Sequence, residues 1–212
     1  MLEGRSTQFE QELILQGSRP TAAHKEVGAA IDLCVYYAGW CDKYQQVFSS
    51  VNPVAGPHFN FSVPVPVGVV AVVAPEKPAL TGLLGTILPV LAGGNAAVVL
   101  ASESRPLSAV TLAEVLATSD LPKGVINLLT GTREELLPVM ASHMGVDAFV
   151  ASDLSQAQQA AVHTASACNL KRPVFLAAEP STELSPYPIL ATQEIKTTWH
   201  PVEPPIGGVA GY

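Results

Sequence analysis

The chain has 212 residues, 48% of them hydrophobic, enough to bury one substantial core. Its formal net charge of −7 excludes the basic footprint of a nucleic-acid binder. Cys34, Cys41 and Cys168 are odd in number and lack Cys-x-x-Cys spacing, which argues against a disulfide framework or a zinc centre and for a reducing compartment.

The opening stretch, MLEGRSTQFEQELILQG, reads as polar and carries no apolar signal core, so a cytoplasmic location is expected. From about Thr21 to Phe48 the apolar residues Val27, Ile31, Cys34 and Val35 recur at helical spacing. His58 to Val65, HFNFSVPV, alternates and contains prolines, the pattern of an edge strand. Gly68 to Val73 is a continuous apolar run of strand length, expected to be buried on both faces. Pro78 then opens a helix to about Ala92, which Gly93-Gly94-Asn95 stops. Ala96 to Leu100 reads as a second buried strand and Pro106 to Ala117 as a helix. Pro78 to Ser102 has no charge over about 25 residues, a length that could span a bilayer. Its central Pro89 and Gly-Gly-Asn turn would leave backbone groups unpaired in lipid, so helix, turn and strand are expected and no membrane span.

The alternation continues through a turn at Leu121-Pro-Lys-Gly124, a strand at Val125 to Leu129, a capping box at Thr132-Arg-Glu-Glu135, and a strand at Val146 to Val150. A second capping-box pattern at Asp153-Leu-Ser-Gln156 precedes a helix with Leu154, Ala157, Ala161, Val162 and Ala165 on one face. Pro173 to Ala177 reads as a fifth strand. The expected class is α/β: a Rossmann-like parallel sheet of about five strands flanked by helices. Beyond it, Glu179 to Tyr187 is rich in Pro, Ser and Thr and reads as a linker. Ile195 to His200 reads as a last strand before a loose tail.

Several stretches together carry a resemblance. YYAGWCDKY (36–44), PVGVVAVVAP (66–75), LAGGNAAVVLASESRPLSA (91–109), LPKGVINLLTG (121–131), HMGVDAFVAS (143–152) and NLKRPVFL (169–176) fall in the order found in aldehyde dehydrogenases. LATQEIKTTWHP (190–201) and SACNLKRP (166–173) resemble the incomplete second, C-terminal region of the tandem family-16 branch. The resemblance implies an N-terminal helical segment at 1–57 and a coenzyme-binding domain at 58–178, with an arm strand at 58–65. It implies a linker at 179–189 where the family places its catalytic domain, and an oligomerisation arm and tail at 190–212.

The family's chemistry needs an activated thiolate beside a nicotinamide coenzyme. None of the three cysteines falls in the family's nucleophile motif, so no catalytic residue is expected, and each thiol reads as a small packed or idle group. The family's oxyanion stretch, proline-tryptophan-asparagine-phenylalanine-proline, corresponds to Pro75-Glu76-Lys77-Pro78-Ala79. Lys77 could stabilise an oxyanion in principle, but with no nucleophile opposite, Glu76 and Lys77 read as a solvated pair of charges. The family's general-base glutamate falls at Ala177, two places before Glu179. The lysine-proline-serine-glutamate run that holds the adenosine ribose reads Leu100-Ala101-Ser102-Glu103, so the vestigial coenzyme-binding residues are Ser102 and Glu103. Glu103 also reads as a carboxylate favoured at a helix start. After the fourth strand the family's glycine turn is replaced by Ala151-Ser152-Asp153-Leu154, which places a repulsive charge near phosphate.

The expected function is therefore a non-catalytic aldehyde-dehydrogenase-like domain acting in oligomerisation or protein interaction through its arm strands, with other chains of the family as candidate partners. Two alternatives stand beside it: a module that binds NAD or NADP weakly without turnover, and part of an NAD(P)-dependent aldehyde dehydrogenase whose cysteine lies outside this chain. The scattered histidines show no metal-ligand spacing. Trp40 and Trp199 read as packing anchors, with Trp199 alternatively in an oligomer interface.

Overall fold

The computed structural model describes residues 1–176 and 184–202. Its centre is a five-stranded parallel sheet in the order β5-β4-β3-β6-β7, formed by β3 (Val69–Val73), β4 (Ala96–Leu100), β5 (Ile126–Leu129), β6 (Ala148–Ser152) and β7 (Arg172–Leu176). The uninterrupted apolar run of β3 is explained by its central place. Val70 and Val72 enter one core and Ala71 and Val73 the other, and all four are fully buried. The first core is closed by α1 (Ser6–Leu15), α2 (Pro20–Ala38), α4 (Ala79–Ala92) and α5 (Leu107–Ala117). The second is closed by α6 (Arg133–Ser142) and α7 (Gln156–Ser166).

Several elements differ from the sequence expectation. The opening stretch is not merely polar: α1 buries Phe9 and Leu13 completely, one turn apart on a single face. The helix expected from Thr21 to Phe48 ends at Ala38, and α3 (Tyr44–Phe48) resumes after a turn. A short strand, β1 (Ser50–Asn52), was not expected. The capping box of α7 is Ser155 with Gln158, not Asp153 with Gln156, because Asp153 takes a left-handed φ of 58° outside the helix. Thr132 caps α6 by accepting the Glu135 N–H, but the return bond from the Thr132 N–H to the Glu135 side chain that would complete the expected capping box is not formed. The expected linker to residue 189 ends instead in α8 (Tyr187–Leu190), whose Ile189 is buried among Tyr37, Tyr44 and Ala92.

A second, three-stranded antiparallel sheet runs β1-β2-β8, with β2 at His58–Pro66 and β8 at Gln193–Pro201. β2 and β8 pair over their whole length, from His58 opposite Pro201 to Pro66 opposite Gln193. The turn after α4 fastens this arm to the core. Asn95 accepts the Gly68 N–H and donates to the carbonyls of Val90 and Thr192. Gln193 donates to the Gly93 carbonyl at 2.8 Å. A Cβ at Gly93 would push against the Gln193 amide that makes this bond. Arg172 on β7 donates to the Gln193 carbonyl and pairs with Glu194 at 2.6 Å.

Candidate functional site

The parallel register brings three loops together. Val73 lies opposite both Leu100 and Ala151, so the chain leaves β3, β4 and β6 at the same level on the carboxyl side of the sheet. In open α/β sheets this side is where ligands bind. Gly82 on α4 lets that helix close on Pro75, because a Cβ there would overlap the proline ring. The Pro75-Glu76 segment is thereby held over the ends of β4 and β6.

Glu76 organises the cluster. Its Oε2 accepts from Ser102 Oγ at 2.8 Å, the Ser104 N–H at 3.0 Å and Ser104 Oγ at 2.6 Å. Its Oε1 accepts the Glu103 N–H at 3.2 Å. Arg133 Nε lies 3.1 Å from Oε1, close enough to pair charges but not aligned as a hydrogen bond. Burial pushes the Glu76 carboxyl pKa up, but the bonds from Ser104, Ser102 and Glu103 outweigh it and bring it down to about 2. The same Arg133 donates to the carbonyls of Ala74 at 2.7 Å and Asp153 at 3.3 Å. Asp153 in turn accepts the Glu76 N–H at 3.1 Å.

Ser102 and Glu103 both lie in this cluster, but their groups are already engaged. Ser102 is buried, donating to Glu76 and accepting the Arg105 N–H at 3.1 Å. Glu103 Oε2 accepts the Arg133 N–H at 2.9 Å. It therefore serves the start of α6, a helix more distant in sequence than the one it precedes. The expectation of a solvated Glu76–Lys77 pair is corrected. Lys77 is exposed, whereas Glu76 is half-buried and bound within the chain. Asp153 does not stand free to oppose a phosphate; it fastens the Glu76 backbone.

Ser104 and Arg133 escaped the sequence reading. Arg133 left one signal: a cation in the first turn of a helix opposes the dipole, and so requires a carboxylate partner. The cysteines lie elsewhere. Cys34 is on α2, where burial raises its pKa and suppresses the thiolate. Cys41 is in the turn after α2, donating to the Tyr37 carbonyl. Cys168 precedes β7, at the opposite end of the sheet from Glu76. Ala177 and Glu179 lie outside the described residues. Among the described residues no group of three or more His, Cys, Asp or Glu side chains could hold a metal ion. A hollow lined by Leu116, Leu121 and Ile126 opens at the amino end of β5, away from the cluster.

An open parallel sheet with helices on both faces, ordered 5-4-3-6-7, defines the doubly wound, Rossmann-like class of α/β folds. Residues 1–176 match the aldehyde dehydrogenase family model, and the chain belongs to that family. It is 31% identical over 160 residues to retinal dehydrogenase 2 of Homo sapiens, a match covering 74% of this chain and 30% of that protein. It is 30% identical over 154 residues to the mitochondrial benzaldehyde dehydrogenase of Antirrhinum majus, covering 73% and 28%. Among solved structures, PnpE in complex with nicotinamide adenine dinucleotide superposes with a TM-score of 0.77 at 29% identity. That superposition covers 82% of this chain and 35% of PnpE. PnpE from Pseudomonas sp. WBC-3 gives the same values. The chain spans about 30% of the length of the curated relatives it matches.

The residues present do not fit a nicotinamide dinucleotide as they are arranged. Ser102 and Glu103, the residues that the resemblance assigns to the ribose, are bound to Glu76 and Arg133, and the strand ends in a fully buried, uncharged Leu100.

Proposed function

We propose that this region of the aldehyde dehydrogenase family is a non-catalytic module that acts in oligomerisation or protein interaction through its arm sheet and requires no coenzyme. The observation that carries this reading is the arm itself. Among the described residues β8 forms an edge of its sheet over nine residues, and one side of the sheet presents Val51, Phe59, Phe61 and Val63 together. Val51 is 68% exposed and Phe59 47%, with Trp199 on the opposite side at 59%. An unpaired edge beside exposed apolar groups favours strand addition. Other chains of the same family are the partners of choice, and the incomplete second region of the family-16 branch is the arrangement it suits. No described helix is long and apolar enough to cross a membrane. With its cysteines free, a cytoplasmic setting fits.

Light scattering at micromolar concentration tests the reading. A mass above 22.2 kDa that falls to the monomer in Phe59→Lys is expected. A native monomer that also ignores full-length family members would overturn it.

A second reading rests on family membership and on the NAD-bound state of PnpE: a segment of an NAD(P)-dependent aldehyde dehydrogenase whose catalytic cysteine lies outside this chain. Aldehyde oxidation on adding a partner chain that bears the cysteine would favour it.

A further inference from the structure

The groups that hold the Glu76 carboxylate come from two segments that do not include Glu76. The loop after β4 supplies the hydroxyls of Ser102 and Ser104 and the N–H groups of Glu103 and Ser104. The first residue of α6 supplies a guanidinium whose position is fixed separately, by the carbonyls of Ala74 and Asp153. Its side chain is only 12% exposed. Two N–H groups, two hydroxyls and an adjacent cation, all converging within 3.2 Å, are the donor set of an oxyanion site.

The geometry points to an oxyanion site formed by Ser102, Glu103, Ser104 and Arg133 that the chain closes in cis with the Glu76 side chain. The class of free ligand it takes is a small monocarboxylate. Glu103 and Asp153 both place carboxylates at the rim, on the Arg133 N–H and the Glu76 N–H, and these disfavour a phosphate dianion. A tethered occupant acts at an effective concentration of about millimolar or more, so free anions do not displace it under ordinary conditions. The site goes beyond the assembly reading and does not depend on it: the arm sheet contributes none of these donors.

Thermal unfolding of the native chain and of Glu76→Ala tests this, with acetate, formate, inorganic phosphate, NAD and NADP each added at ionic strength matched by chloride. In Glu76→Ala, acetate and formate should raise Tm saturably by about 3 °C, phosphate less, while the native chain stays unmoved. The proposal is overturned if the variant responds no more than the native chain. It is also overturned if NAD or NADP stabilises the variant where acetate and formate do not. Should Glu76→Ala fail to fold, amide exchange of the native chain decides. Protected Glu103 and Ser104 N–H groups are expected, and exchange at free-peptide rates would contradict the site.

Discussion

At the scale of single residues, Glu76 replaces a solvent-facing charge with a five-contact anchor between loops that are far apart in sequence. Its carboxyl pKa is lowered in the folded state to about 2 from the ordinary 4.5. A depressed folded pKa contributes stability that is present above pH 4.5 and is lost as pH falls from there through 2. The carboxylate is partly exposed, so solvent screening limits this contribution to about 1–2 kcal/mol. Urea denaturation of Glu76→Gln should show that loss at pH 7 and a flatter stability profile between pH 4.5 and 2 than the native chain. Equal profiles would remove Glu76 from its anchoring role. The sequence showed the cluster's members, Ser102 and Glu103, but not what binds them. Their partner lies 26 and 27 residues away and the guanidinium 57 residues from Glu76, separations at which local patterning carries no information.

At the scale of elements, the strands were the most legible part. A run such as Val69 to Val73 can be apolar throughout only where both faces are covered, and β3 lies at the middle of the sheet. Helix α1 falls in the helical segment that the resemblance implied at 1–57, but the residue pattern alone did not show it, because Phe9 and Leu13 are few among polar neighbours. Their burial depends on α2 and α5, and Gln8 and Glu12 bind Thr111 of α5. Phe9→Ala should therefore cost about 3 kcal/mol in chemical denaturation; a surface-like loss of a few tenths would show that α1 does not share the core. The turn between α4 and β4 was read correctly as a stop. Its second task, fastening the arm through Asn95 and Gln193, needed the paired strands to be seen. Asn95→Ala should cost about 2 kcal/mol and raise amide exchange in β8, since it leaves the Gly68 N–H without its partner and removes the bond to the Thr192 carbonyl that precedes β8. Unchanged exchange in β8 would mean that the β2 pairing alone holds the arm.

At the scale of the whole molecule, an aldehyde dehydrogenase scaffold has kept its sheet while the carboxyl ends of its strands are tied to one another. Fold-determining features survive: the buried strands, the Gly93-Gly94-Asn95 turn, and the arm. The chemical ones do not converge: Cys34, Cys41 and Cys168 lie away from the cluster, and the polar groups beside β4 are bound to Glu76. A family fold does not by itself carry the family's reaction. The most direct measurement is calorimetric titration of the native chain with NAD and with NADP. No saturable heat up to millimolar coenzyme is the expected result. Saturable binding in the micromolar range would contradict the closed groove and return Ser102 and Glu103 to a working coenzyme site.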